Sequence, residues 1–366
     1  MRMKKIILIA AVAIAAAACS KTFDTNLATE KAIGFGTWAE NLTKAEARTQ
    51  GTSEFKAGDT FSVSGYKDKT TPAPVTVFDN VTVTASGTPV DKWDYVSATE
   101  ALRFWDTKYD SYTFYAVSPA AAATMDAQAG TIAATSKVFS GKNNDILVAD
   151  KVTVAKGDAP SYFNGYATVD LTFKHAATLV DVKVKKTNAL ANNDVTIKAF
   201  ALNNIASEGT FAVSGYTGTT PTIAWNSTAT ASYGPGDGVV PVSISPAIEI
   251  ALDNTFDSSN ADPAKVPAGS TTLINNLVVM PQAISAQTIT FTYNIEGDAA
   301  DHAVTLNIAD FDKVDNDNQN QAKVGKWEAG KHYTFYITID AHAIQFNASI
   351  DSWDAVYVNG YHYILN

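Results

Sequence analysis

The feature that most constrains this chain is a two-residue alternation that recurs from Thr60 almost to the end. In Thr60-Phe61-Ser62-Val63-Ser64 apolar and hydroxyl side chains take turns, and Val81-Thr82-Val83-Thr84 repeats the pattern. Successive side chains of an extended strand point to opposite faces, so this period marks half-buried strands. Segments rich in Val, Ile, Thr, Tyr and Phe return at 112–117, 167–173, 180–184, 288–293 and 333–339, separated by Gly, Asn, Asp, Ser and Pro. No long helical stripe interrupts them. The Ala-rich stretch 119–129 reads as a short helix that Gly130 would end, or as a loop. The expected class is all-β.

With 366 residues, 46% hydrophobic and 17% charged, the chain has material for two domains and is too apolar for disorder. A polar stretch at 150–165, containing Gly157, Asp158, Pro160 and Gly165, places the boundary between 164 and 165. An internal echo fits two halves: Trp105 precedes Tyr112-Thr113-Phe114-Tyr115, and Trp327 precedes Tyr333-Thr334-Phe335-Tyr336. It reads equally as duplication or as coincidence in a chain rich in Tyr and Thr.

The net charge of -10 speaks against nucleic acid as a partner. One cysteine excludes intramolecular disulfides, zinc ribbons and Cys-x-x-Cys redox centres. That cysteine, Cys19, ends an N-terminal segment with a basic start (Arg2, Lys4, Lys5) and an uncharged run of 13 residues, 6–18. The run is shorter than the roughly 20 residues that span a bilayer, so residues 1–18 read as a secretory signal. Ala15-Ala16-Ala17-Ala18-Cys19-Ser20 looks like a bacterial lipobox, with Cys19 as the lipidated first residue; Ala16 stands where Leu is usual. Losing 1–18 removes three basic residues and no acid, lowering the net charge from -10 to -13.

Recognisable catalytic chemistry is missing from the sequence. His175, His302, His332, His342 and His362 show no metal-ligand spacing and read as strand or turn residues. The run 310–320 is oxygen-rich, but it lacks the sixth-position Gly and terminal Glu of an EF-hand and contains Lys313, so it reads as a solvated loop. Trp93, Tyr95, Phe104 and Trp105 would stack on sugars if they shared an exposed face, or fill the core. The expectation is a non-enzyme without cofactor, metal or catalytic residues.

Both ends carry unusual segments. Ala32-Ile33-Gly34-Phe35-Gly36-Thr37-Trp38 is an alternating strand candidate followed by a polar linker with Arg48, one of three arginines. An exposed basic residue in a polar linker suits a protease; it is also an ordinary solubilising charge. At the C-terminus a strand finishes near Trp353, yet the chain continues through the apolar and aromatic residues 354–366. That tail reads either as a hairpin of its own domain, turning at Asn359-Gly360, or as a strand offered to another subunit.

Together with the Cys19 lipobox and Arg48-Thr49, Ile33-Gly34-Phe35, Lys56-Ala57-Gly58-Asp59-Thr60-Phe61, Trp93-Asp94-Tyr95, Arg103-Phe104-Trp105 and Tyr112-Thr113-Phe114-Tyr115 resemble the fimbrillin (Mfa-like) family of type V pilus subunits. The resemblance continues through Leu171-Thr172-Phe173-Lys174-His175, Val278-Val279-Met280-Pro281-Gln282 and Gly330-Lys331-His332-Tyr333. It implies two tandem transthyretin-like β-sandwich domains, with a signal peptide at 1–18, a propeptide at 19–48, sandwiches at 49–164 and 165–353, and a donor strand at 354–366. It also implies export as an outer-membrane lipoprotein and cleavage between Arg48 and Thr49 by an arginine-specific protease. Cleavage would displace a first strand carrying Ile33 and Phe35. The vacated groove would take a donor strand carrying Val356, Tyr357, Val358, Tyr361, Tyr363, Ile364 and Leu365, building a surface fimbrium from this and accessory pilin subunits. The competing expectations are a tip or anchor subunit, and a surface lipoprotein that binds glycan or host protein without polymerising. The sequence identifies no receptor.

Overall fold

The structure, a computed structural model, describes residues 33–38, 55–71, 73–87, 90, 92–97, 99–139, 145–157, 169–235, 248–249, 271–311, 313–314, 323–340 and 344–352. Among them the chain is all-β, with two short 3₁₀ turns at Asn188–Leu190 and Ile308–Asp310. The strands of the first half are β1 (Phe35–Trp38), β2 (Thr60–Asp68), β3 (Val75–Ser86), β4 (Lys92–Asp94), β5 (Ser111–Ser118), β6 (Ile132–Val138), β7 (Leu147–Ala149) and β8 (Val152–Ala155). Next come β9 (Val169–His175), β10 (Thr178–Lys186), β11 (Val195–Thr217), β12 (Thr220–Tyr233), β13 (Ile248–Glu249), β14 (Thr271–Val279) and β15 (Gln282–Ala283). The last are β16 (Thr288–Ile295), β17 (His302–Asn307), β18 (Lys313–Val314), β19 (Lys326–Trp327), β20 (Lys331–Ile339) and β21 (Ile344–Ser352).

The first sheet runs β1-β9-β7-β5-β2-β3-β4, with β8 also on β5. Its end strands β1 and β4 touch, so the sheet rolls around its own core. That core is aromatic: Phe35, Phe61, Phe78, Tyr95, Trp105, Tyr112, Phe114 and Phe173 pack with Val63, Val83 and Leu171. In the second half, β14-β10-β20-β21-β18 faces β12-β11-β16-β17 across a mainly aliphatic core built on Val180, Val182, Val184, Ile197, Leu202, Ile289 and Ile337.

The two halves interlock. β9 comes after the expected boundary at 164/165 yet pairs with β7 and β1 in the rolled sheet. β6 lies before that boundary yet pairs with β11. β8 forms inside the polar stretch expected to be a linker. The long strand β11 serves both regions: its first part pairs with β16, and its later part carries Phe211 and Val213 onto Tyr115, Val117 and Val148 of the roll. The change comes near Gly209, where an added Cβ would run into the Asn226 carbonyl and the Met280 methyl. Trp225 donates its indole N–H to the Ala176 carbonyl at 2.7 Å, pinning the two-residue passage from β9 to β10.

The stretch 119–129 forms a loop rather than a helix. Asn80 takes both backbone groups of Met125, accepting its N–H and donating to its carbonyl, each at 2.8 Å. Asp126 accepts the amides of Gln128 and Ala129 at 2.9 and 2.6 Å. These bonds satisfy backbone groups that a helix would have satisfied internally.

The Trp-to-Tyr echo has a structural counterpart. Tyr112 Oη accepts the amide of Asp106, the residue after Trp105, at 2.7 Å; Tyr333 Oη accepts that of Glu328, the residue after Trp327, at 3.1 Å. All four rings are buried.

Candidate functional site: the seam of the rolled sheet

Residues 33–38 close the roll. β1 lies parallel to β9 from Phe35 opposite Val169 to Trp38 opposite Thr172, and Val169 N–H donates to the Gly34 carbonyl at 2.8 Å. On the other side Ile33 N–H donates to the Arg103 carbonyl at 2.8 Å, while the Tyr95 hydroxyl donates to the Ile33 carbonyl at 2.9 Å. The segment thus bridges β9 and the chain beyond β4.

Ile33 is 1% exposed and Phe35 5%. The Phe35 ring meets Phe61, Phe78, Tyr95 and Phe114 edge-on, at centroid distances of 6.1, 5.3, 5.9 and 5.9 Å. Edge-to-face packing suits the ring quadrupole, and each large side chain buried here is worth about 1.5–3 kcal/mol. The alternation foreseen for this segment therefore delivers two side chains into the aromatic core.

The polar frame is built by Tyr95 and Arg103. Tyr95 Oη accepts Arg103 N–H at 3.1 Å, leaving its proton for the Ile33 carbonyl. Burial pushes the Tyr95 phenol up; the Arg103 amide and charge oppose this without cancelling it, so the hydroxyl stays neutral and donates. The Arg103 guanidinium donates to the Val77 carbonyl at 2.6 Å, the Ala101 carbonyl at 3.1 Å and Glu100 Oε2 at 2.8 Å. It also lies 4.9 Å from the centre of the Phe78 ring. These ties hold the stretch that offers its carbonyl to Ile33.

Of the residues the sequence singles out, Ile33 and Phe35 meet in this seam. Cys19, Arg48, Thr49, Val356, Tyr357, Val358, Tyr361, Tyr363, Ile364 and Leu365 lie outside the described residues. Tyr95 and Trp105 are buried and Trp93 packs on Phe55 and Phe61, which gives these three the core role; Phe104 is exposed. His175 pairs with buried Asp145 at 3.0 Å, His302 with Asp298 at 2.8 Å and His332 with Asp181 at 3.1 Å. Among the described residues no group of three or more His, Cys, Asp or Glu could hold a metal. The functional pair that the sequence does not announce is Tyr95 with Arg103: the hydroxyl meets a partner 62 positions away, a relation no local pattern encodes.

Fold and seam together define an all-β protein in which residues 33–38 close a rolled sheet. The model of the family described as Fimbrillin-like matches residues 43–353, and the chain belongs to that family. The matched stretch starts after β1. Solved structures similar to this chain include a fimbrial protein from Bacteroides vulgatus, with 17% identity over 88% of this chain and 99% of that one and a TM-score of 0.44. A candidate cell adhesion protein from Bacteroides ovatus gives 16%, 89%, 99% and 0.49, and another from Bacteroides uniformis 14%, 89%, 100% and 0.45. Among curated proteins no match was found.

Proposed function

We propose that this chain is a structural, non-enzymatic subunit of a type V, fimbrillin-type pilus that serves adhesion, built as two tandem transthyretin-like β-sandwich domains. In this reading Cys19 carries lipid and brings the precursor to the outer membrane. An arginine-specific protease cuts between Arg48 and Thr49, residues 33–38 leave the seam, and a strand from another copy or an accessory pilin replaces them. The C-terminal residues 354–366, with Val356, Tyr357, Val358, Tyr361, Tyr363, Ile364 and Leu365, supply that strand. Head-to-tail exchange of this kind gives an open filament at the cell surface.

The observation that carries the reading is the placement of Ile33 and Phe35. They are buried core residues, Phe35 on the four-residue β1 and Ile33 two residues before it, yet both precede Arg48 in sequence. Each large apolar side chain refilling the seam would contribute about 1.5–3 kcal/mol, so a few of them with a backbone ladder would hold subunits firmly. Arg48 is also favoured by elimination. Arg2 lies in the expected signal peptide, and Arg103 is tied through both backbone groups and its guanidinium.

The test is the N-terminal residue of the protein on cells, with Arg48→Ala beside the wild type. Thr49 at the N-terminus, with filaments lost in the variant, is the expected result. Filaments of normal abundance from uncut Arg48→Ala protein would reject the reading.

A further inference from the structure

Exchange at the seam raises the question of what selects the incoming strand and sets its register. β9 offers a plain ladder edge, which accepts any extended backbone and shifts by two residues without penalty to its hydrogen bonds. The opposite wall is different. It offers one acceptor, the Arg103 carbonyl, and one donor, the Tyr95 hydroxyl, and both close on a single residue, Ile33. Two positions further along, Phe35 stands in a pocket made of four aromatic rings.

We infer that Tyr95 and Arg103 form a register clamp that specifies the strand filling this seam. The fitting ligand is an extended peptide with a free backbone N–H and an apolar side chain at the clamped residue, and a large apolar side chain, aromatic by preference, two residues later. Proline is excluded at the clamped residue because it has no N–H. A strand slipped by two residues would put another side chain into the aromatic pocket, while a strand without the clamped N–H would leave the half-buried Arg103 carbonyl without its seam partner. This inference rests on the reading that residues 33–38 are replaced by a strand of another copy. It adds which wall residues choose that strand.

The first measurement is hydrogen exchange of the full, uncut chain with Tyr95→Phe, which keeps the ring beside Phe35 and Phe78 and removes only the hydroxyl. Exchange at 33–38 is expected to speed up about tenfold, the effect of one buried hydrogen bond, with β2 and β5 amides unchanged. Unchanged protection at 33–38 overturns the clamp. The second measurement uses the full chain nicked after Arg48, with both pieces present, and a labelled synthetic peptide of residues 29–40. The same peptide N-methylated at Ile33 is expected to compete about tenfold more weakly; equal competition overturns the clamp and leaves the exchange reading intact. Binding of neither peptide, with the seam still loosened by Tyr95→Phe, supports the clamp on residues 33–38 and sinks the exchange reading instead.

Discussion

The rolled sheet and the sheet pair place the same Trp–Tyr device in their cores but close those cores by different means. In the sheet pair the last described strand, β21, runs along β20 through nine register pairs, from Lys331 opposite Ser352 to Ile339 opposite Ile344. In the roll the closing strand β1 has four register pairs on β9 and a two-bond clamp at Ile33. The roll therefore concentrates its closure in two deeply buried side chains rather than in a long ladder. Few backbone bonds must break to open it, while the apolar area exposed by opening is large, a combination that favours refilling over remaining empty.

The largest expected effect tests whether the sheet pair is complete without the C-terminal tail. Deleting 354–366 should leave the uncut monomer folded, with a near-normal melting temperature, and abolish filaments on cells. If those residues instead form a hairpin of the sheet pair, the deletion should cost that region several kcal/mol, given about 1.5–3 kcal/mol per large buried side chain. Thermal unfolding and electron microscopy on the same deletion separate the two, and normal filaments from it would reject donation.

Next in size are aromatic truncations on the two sides. Phe35→Ala should destabilise the uncut chain by about 3–5 kcal/mol, and Phe335→Ala in the sheet pair should cost a similar amount. The difference appears after processing. Chain cut after Arg48 on cells and isolated without any step that strips residues 19–48 should have the same denaturant midpoint whether made from wild type or from Phe35→Ala, whereas Phe335→Ala should remain destabilised. A processed Phe35→Ala chain that still differs from wild type would mean that residue 35 stays in the seam.

A smaller effect sharpens the likeness between the halves. Tyr112→Phe and Tyr333→Phe each remove a hydroxyl that accepts the amide after a buried tryptophan. Each should cost about 1–2 kcal/mol by chemical denaturation. Costs that differ several-fold would make the echo a coincidence of sequence rather than a shared device.

Legibility in the sequence tracks how local each feature is. Alternation is a two-residue property, so the strands around Phe61, Val83, Phe114, Val182 and Phe335 could be read directly, and so could the apolar face of Ile33 and Phe35. At 119–129 the sequence leaves helix and loop open: Ala propensity favours a helix, and the side chain that decides for the loop, Asn80, sits 45 positions from Met125. The crossing of β6 onto β11 and the return of β9 to the roll are also long-range pairings, invisible to a boundary drawn from Gly and Pro content. The clamp escaped for the same reason. Tyr95 looked like one aromatic among several, and its function lies in a hydroxyl aimed at a distant backbone.

The smallest expected effect concerns acid, and it belongs to the sheet pair. Asp181 on β10 is 7% exposed on its side chain and faces His332 Nε2 at 3.1 Å. Burial pushes its carboxyl up, but His332 beside it, the Asn276 amide and Lys183 outweigh that and hold it below its ordinary 3.8. A carboxyl lowered in the folded chain stabilises it fully above the unfolded value, and this contribution disappears as pH falls through the lower folded value. Asp181→Asn should therefore be less stable than wild type at neutral pH, by about 1 kcal/mol. Below pH 3.8 the two stability curves should converge. In the roll, Asp106 is lowered as well, against burial, by Lys67 and the Lys108 amide, but its side chain is 34% exposed and water screens the pair. Asp106→Asn should accordingly move the acid limb less than Asp181→Asn does. Urea midpoints measured from neutral pH down to about 2 for both variants decide the order, and a larger shift from Asp106→Asn would place the acid-sensitive contact in the roll instead of the sheet pair.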